Sequence, residues 1–165
     1  MTNDFAQNVD LLAQDMRWFM LSPVRWKQSR VTVPLSWVGV RFEATNRTQV
    51  PDASGIYCFI VRHENDHFPP HSYLMYIGIT GAHNRTRTLR NRFSDYIREQ
   101  THNKRPRIHY MLTKYAHDLF FYFVAVDGNN IPLEQLEADL NDALVPPCVT
   151  NDFSAEVRRH VRALP

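Results

Sequence analysis

The stretch LFFYFVAV, residues 119–126, is apolar at nearly every position over eight residues. It is short for a buried helix and lacks the alternation of a strand with one wet face. It therefore predicts a central strand covered on both sides. Such a strand needs neighbours beside it and layers above and below, and the rest of the chain supplies both. In SGIYCFIV (54–61), Ile56, Cys58 and Ile60 fall on one face of a strand, and Tyr57, Phe59 and Val61 on the other. Residues 73–79 form a second strand, antiparallel to the first across the polar, proline-containing loop RHENDHFPPHS. Residues 30–42 are β-branched and aromatic, but Pro34 and Gly39 reduce them to short or edge strands.

Helical periodicity marks the covering layers. Phe5, Val9, Leu12, Met16 and Phe19 recur at threes and fours across 4–21, ended by Ser22-Pro23. Leu89, Phe93, Tyr96 and Ile97 form the stripe of a helix over 88–100, with Thr88 as N-cap. Pro132 starts a helix that Pro146-Pro147 stops, a short helix lies near 154–163, and Asp127–Asn130 make a turn. The order is β-β-α-β-α behind an N-terminal helix and strand extension. The fold class is α/β, a small mixed sheet of three central strands flanked by helices. Residues 1–50 are expected to pack on the core as an extension, with Trp18, Phe19, Trp26, Trp37 and Phe42 contributing apolar area, and 51–165 to form the main domain. At 165 residues this makes one compact unit.

No apolar run approaches the ~18 residues of a membrane span. The N-terminus lacks a basic region followed by an apolar block, so a cytoplasmic protein is expected. Cys58 and Cys148 stand far apart without a CxxC pair, which argues against a disulfide scaffold or zinc knuckle. His63, His67 and His71 recur every fourth residue, but Pro69-Pro70 forbids the helix that would align them as metal ligands. Charge is uneven. Residues 81–110 hold eight Lys or Arg against two acids, so this segment carries +6 and the remainder −4 of a net +2. Such a cluster is either a solvated surface or the footprint of a polyanion, above all nucleic acid.

Two residues stand out by position. At ~100° per residue, Glu137 falls inside the apolar stripe of Leu133, Leu136, Leu140 and Leu144, with Asp139 and Asp142 on the opposite side. A carboxylate there needs an arginine partner, or serves as a metal ligand or acid/base facing a cleft. Arg92 and Tyr96 share one helix face at the edge of the Leu89–Phe93 stripe, where an arginine either snorkels to water or grips a phosphate.

Together these residues resemble the GIY-YIG nuclease family. Gly55-Ile56-Tyr57 matches its first motif and Tyr76-Ile77-Gly78 its second. LRNRFSDY resembles its helix motif, with Arg92 as the arginine and Tyr96 at the polar position one turn later. Glu137 falls where the family places its metal-binding glutamate, and Asn151 resembles the closing asparagine, about two residues late. The resemblance covers roughly residues 50–153. The loop between the tyrosines is longer than the family's usual one, and Ile79 follows the second motif where some relatives have a basic or polar residue, leaving Thr80, His83 or a loop arginine to supply that function.

The resemblance implies a DNA endonuclease that leaves 5′-phosphate and 3′-hydroxyl ends. Glu137 would hold one Mg²⁺ or Mn²⁺, Arg92 would neutralise transition-state charge, and Tyr57 is the candidate general base. Tyr76 and Tyr96 would position water and phosphate. Arg85, Arg87, Arg90, Lys104, Arg105 and Arg107 are the candidate DNA-backbone contacts. A non-catalytic or partner-activated nucleic-acid-binding module on the same fold is the alternative, and residues 1–50 offer a surface for a homodimer or a protein partner.

Overall fold

The computed structural model describes residues 5–65, 67–82, 86–126 and 131–163. The elements run α1 (Phe5–Asp15), α2 (Pro23–Lys27), β1 (Val38–Arg41), a 3-10 turn (Ala44–Gln49), β2 (Gly55–Arg62), β3 (Ser72–Thr80), α3 (Leu89–His102), α4 (Pro106–Lys114), β4 (Leu119–Ala125), α5 (Leu133–Leu144) and α6 (Ala155–Arg162). The four strands form one sheet in the order β1-β4-β2-β3. The expected α/β architecture, a small sheet flanked by helices, is present. Its three pairings are antiparallel throughout rather than mixed. The reason is that β4 returns beside β2 instead of β3, so strands that share a direction, β1 with β2 and β3 with β4, are never neighbours.

The apolar run 119–126 is central as its composition requires, paired to β1 on one side and β2 on the other. Alternation along the strands separates two cores. Tyr57, Phe59 and Val61 join Phe93, Tyr96, Phe121, Phe123 and the α4 residues Ile108, Met111 and Leu112 on one face. Ile56, Cys58 and Ile60 join Ile77, Leu133 and Leu136 on the other. The β2–β3 hairpin carries a bulge: Phe59 pairs with Tyr76 and Ile60 with Leu74, leaving Met75 as the extra residue. The Met75 carbonyl instead accepts the Cys148 N–H at 2.9 Å.

Thr88 caps α3 as expected, its hydroxyl accepting the Asn91 N–H at 3.2 Å. Asn103, in the left-handed region at φ 47°, ends the helix. Pro106 then opens α4, which sequence periodicity alone did not reveal. The corner is tied by Glu99, whose carboxylate accepts the Arg105 N–H at 2.7 Å.

The N-terminal expectation needs correction. The helix expected over 4–21 stops at Asp15 and buries none of its residues. Its tethers to the body are polar, Lys114 to Asp15 at 2.6 Å and Arg17 to Tyr110. Trp18 and Trp26 are exposed, whereas Phe42 is fully buried and Phe19 and Trp37 pack partly buried. The strand region 30–42 contributes only Val38–Arg41 to the sheet. Before it, Val31, Val33, Leu35 and Trp37 lie against the aliphatic core as irregular chain. The turn at 127–130 lies outside the described residues. No described helix is long and apolar enough to cross a membrane.

Candidate active site

The hairpin and α3 bring three tyrosines together. Ring centroids lie 6.3 Å apart for Tyr57–Tyr76, 5.8 Å for Tyr57–Tyr96 and 6.2 Å for Tyr76–Tyr96. The hydroxyls of Tyr57 and Tyr96 share a hydrogen bond of 2.9 Å. Gly78 makes room for this arrangement. It pairs with Tyr57 across the hairpin, and a Cβ there would sit 2.6 Å from the Tyr57 hydroxyl oxygen. The glycine of the second motif is thus required by the tyrosine of the first.

Burial holds the Tyr57 hydroxyl well above the usual tyrosine range. Tyr96 and Tyr76 add to that rise, and the opposing pull of Arg92 is smaller. Tyr76 is raised too, first by burial and then by Tyr96, with Asp152 and Glu137 contributing. Arg92 by itself therefore does not bring the Tyr57 pKa below its ordinary value.

Arg92 enters from α3, one turn before Tyr96. Burial works against its charge, but Tyr57, Tyr96, Tyr76 and Asp95 outweigh it, and its pKa is raised. Its Nε is buried without a hydrogen-bond partner, and its nearest carboxylate contact is Asp95 at 4.0 Å. A guanidinium fixed among hydroxyls with an unused N–H can accept an anionic oxygen from outside.

Glu137 sits on α5 beside β3, the open edge of the sheet, where the nearby backbone N–H of Ile79 favours its charged form. Its pKa is pushed up to about 7, chiefly by burial and next by Asp152, against smaller pulls from Ile79 and Arg92. No described arginine forms an ion pair with it, so the simplest explanation of a carboxylate in an apolar stripe does not apply. The donor chemistry fits a hard divalent cation. Glu137 and Asp152 are carboxylates that repel one another, and Mg²⁺ is held by one or two carboxylates while keeping much of its water. Among the described residues no group of three or more His, Cys, Asp or Glu is placed to hold a metal. His63 pairs with His71 at 2.9 Å in the hairpin loop.

Next to Arg92 a groove of about 400 Å³ runs along α3 to the α4 corner, lined by Arg87, Arg98, Lys104 and Arg105 with Asp95 and Glu99. Asp95 binds Arg87 and Arg98 together. Arg105 lies over the Tyr96 ring, its guanidinium carbon 4.8 Å from the centroid. The groove is thus basic and continuous with the tyrosine cluster.

No family model, curated protein or solved structure matches the chain.

Other expected contacts fall elsewhere. Arg90 uses its Nε to bind the Val50 carbonyl at 2.8 Å, tying α3 to the 3-10 turn. Arg107 is exposed on α4 and does not line the groove, and Arg85 and His83 lie outside the described residues. Asn151 is exposed, and no hydrogen bond or ion pair among the described residues links it to the cluster. Its neighbour Asp152 is the residue whose charge reaches Tyr76 and Glu137. Asp142, expected on the solvent side of α5, is half-buried and accepts the Ser154 N–H at 2.9 Å, holding the start of α6. Periodicity overlooked Asn141, which is completely buried. The signal was present, since four residues beyond Glu137 leaves a helix position only ~40° away on the same stripe.

Proposed function

We propose that the protein is a divalent-cation-dependent DNA endonuclease of the GIY-YIG type, hydrolysing phosphodiesters to 5′-phosphate and 3′-hydroxyl ends. The observation that carries this reading is the unpartnered Nε–H of Arg92, buried beside three tyrosine hydroxyls, with Glu137 within electrostatic reach. Arg92 binds the scissile phosphate and offsets the charge that grows on it in the transition state. Tyr57, kept protonated by its surroundings, donates a hydrogen bond within the Tyr96 network and orients water or phosphate. Tyr76 and Tyr96 complete that network. A Mg²⁺ or Mn²⁺ held by Glu137 would supply Lewis-acid stabilisation of a phosphate oxygen and the leaving group. Arg87, Lys104 and Arg105 in the groove take flanking phosphates, which gives affinity without base readout.

The test is cleavage of supercoiled, linear and single-stranded DNA with Mg²⁺, Mn²⁺ or EDTA, beside Glu137→Ala. Metal-dependent cutting lost in the variant is expected. Cutting that survives Glu137→Ala removes the assigned role of that residue.

A second reading, a module that binds nucleic acid and cuts only with a partner or a second copy, draws on one observation. Of thirteen large apolar side chains exposed among the described residues, nine fall between Phe5 and Trp26. Salt-sensitive DNA binding by both proteins without cutting would favour it.

A further inference from the structure

Buried polar atoms in folded proteins almost always have a partner, and those without one call for an explanation. Among the described residues, four buried side-chain atoms lack a partner: Arg92 Nε, Arg158 Nε, and both the Nδ2 and Oδ1 of Asn141. Asn141 is 0% exposed, so solvent at the surface does not satisfy it. A carboxamide unmatched at both ends is a costly way to fill a buried position.

Its position indicates what completes it. Asn141 follows Glu137 by four residues in α5, which brings their Cβ atoms to about 6 Å on the same face. The helix α5 packs against β3. Of the charges acting on Glu137, Asp152 is the strongest, with Arg92 opposing it and Glu134 adding less. Two neighbouring carboxylates, Glu137 and Asp152, draw in a cation. A hydrated divalent cation fits both empty ends of the amide: the oxygen offers lone pairs to the ion, and the N–H₂ offers donors to its bound water or to a phosphate.

We infer that Asn141 is a second oxygen ligand for the cation at Glu137, so that Glu137-x-x-x-Asn141 forms the cation-binding element of α5. This rests on the reading of Glu137 as a metal ligand, and the test separates the two. Free Mn²⁺ is measured by electron paramagnetic resonance during titration of the full chain, the Glu137→Gln chain, and the Asn141→Leu and Asn141→Asp chains. Thermal unfolding is followed with Mn²⁺ and with EDTA.

Asn141→Leu should bind Mn²⁺ at least ~10-fold more weakly. In EDTA it should unfold at the same or a higher temperature, since the unmatched amide is gone. Asn141→Asp should bind Mn²⁺ more tightly than the unsubstituted chain and gain more from it in unfolding temperature. Unchanged Mn²⁺ affinity in Asn141→Leu, with affinity lost in Glu137→Gln, would overturn the assignment of Asn141 and leave Glu137 in place. Unchanged affinity in Glu137→Gln would overturn both. If Asn141→Leu is too unstable to titrate, Asn141→Asp decides alone, and binding no tighter than that of the unsubstituted chain marks Asn141 as a packing group.

Discussion

The two faces of the β2–β3 hairpin are made from alternate residues of the same strands, yet they are built differently. One is aliphatic and dry: Ile56, Cys58 and Ile77 meet Leu133 and Leu136, and burial alone pushes the Cys58 thiol up to about 12. The other is aromatic with polar tips: Tyr57 stacks on Phe121 at 5.2 Å and Phe59 packs edge-on to Tyr96 at 4.9 Å, while the hydroxyls gather around Arg92. The aliphatic face gains from shape and area. The aromatic face gives part of its burial to polar atoms, among them the Arg92 Nε, which has no partner.

This contrast can be broken from either side. The largest effect is expected from Arg92→Lys, which keeps the charge but loses the planar donor fork. Cleavage should fall ~10²–10³-fold with little change in unfolding temperature, measured by steady-state nicking assays beside thermal melts. A variant that cuts normally would reduce the aromatic face to packing. Gly78→Ala comes next. The added methyl meets the Tyr57 hydroxyl at 2.6 Å and must displace it, costing ~1–3 kcal/mol in denaturant unfolding together with most of the activity.

Glu137→Gln is expected to show in the pH dependence. The native pKa of about 7 lies above the reference 4.5, so the folded state holds the proton more tightly. In EDTA the residue's contribution to stability is full below about pH 4.5 and is lost as pH rises through about 7. The glutamine variant should lack that slope and be more stable at pH 8 by ~1–2 kcal/mol after allowance for partial solvation. Parallel melting curves for the two proteins between pH 4.5 and 8 would contradict this. The smallest effect belongs to the aliphatic face: Ile77→Val should cost ~0.5–1.5 kcal/mol in unfolding and leave cleavage unchanged. A large loss of activity there would erase the distinction between the faces.

Much of the fold was readable because its signals are local. Strand alternation assigned Tyr57 and Ile56 to opposite faces, the apolar run located the central strand, and helical phase singled out Glu137 as a carboxylate in an apolar stripe. The unread parts depend on distant chain. Periodicity shows that α1 has an apolar side, but not that nothing in the described chain covers it. The helix α4 begins at Pro106, directly after the basic turn Asn103-Lys104-Arg105 that reads as loop, and its burial is set by β4 and α3. Tyr57 sits in the motif expected of a base, but its acidity is fixed by how deeply Phe121 and Tyr96 enclose it, which no spacing of residues conveys. Asn141 draws no attention in the sequence, because an asparagine close to two aspartates looks solvated until its burial is known.

The pairing of β1 with β4 also bears on where this folding unit can be cut. Val40, Phe42 and Val50 are core residues, and β1 closes the outer edge of β4 along Phe120–Phe123. A fragment begun at residue 51 would leave that edge open along one of the most apolar segments of the chain, an invitation to strand-to-strand association between molecules. The short strand contributed by residues 38–41 thus acts as a shield as well as a support, and it belongs to the minimal domain although it precedes every motif of the site.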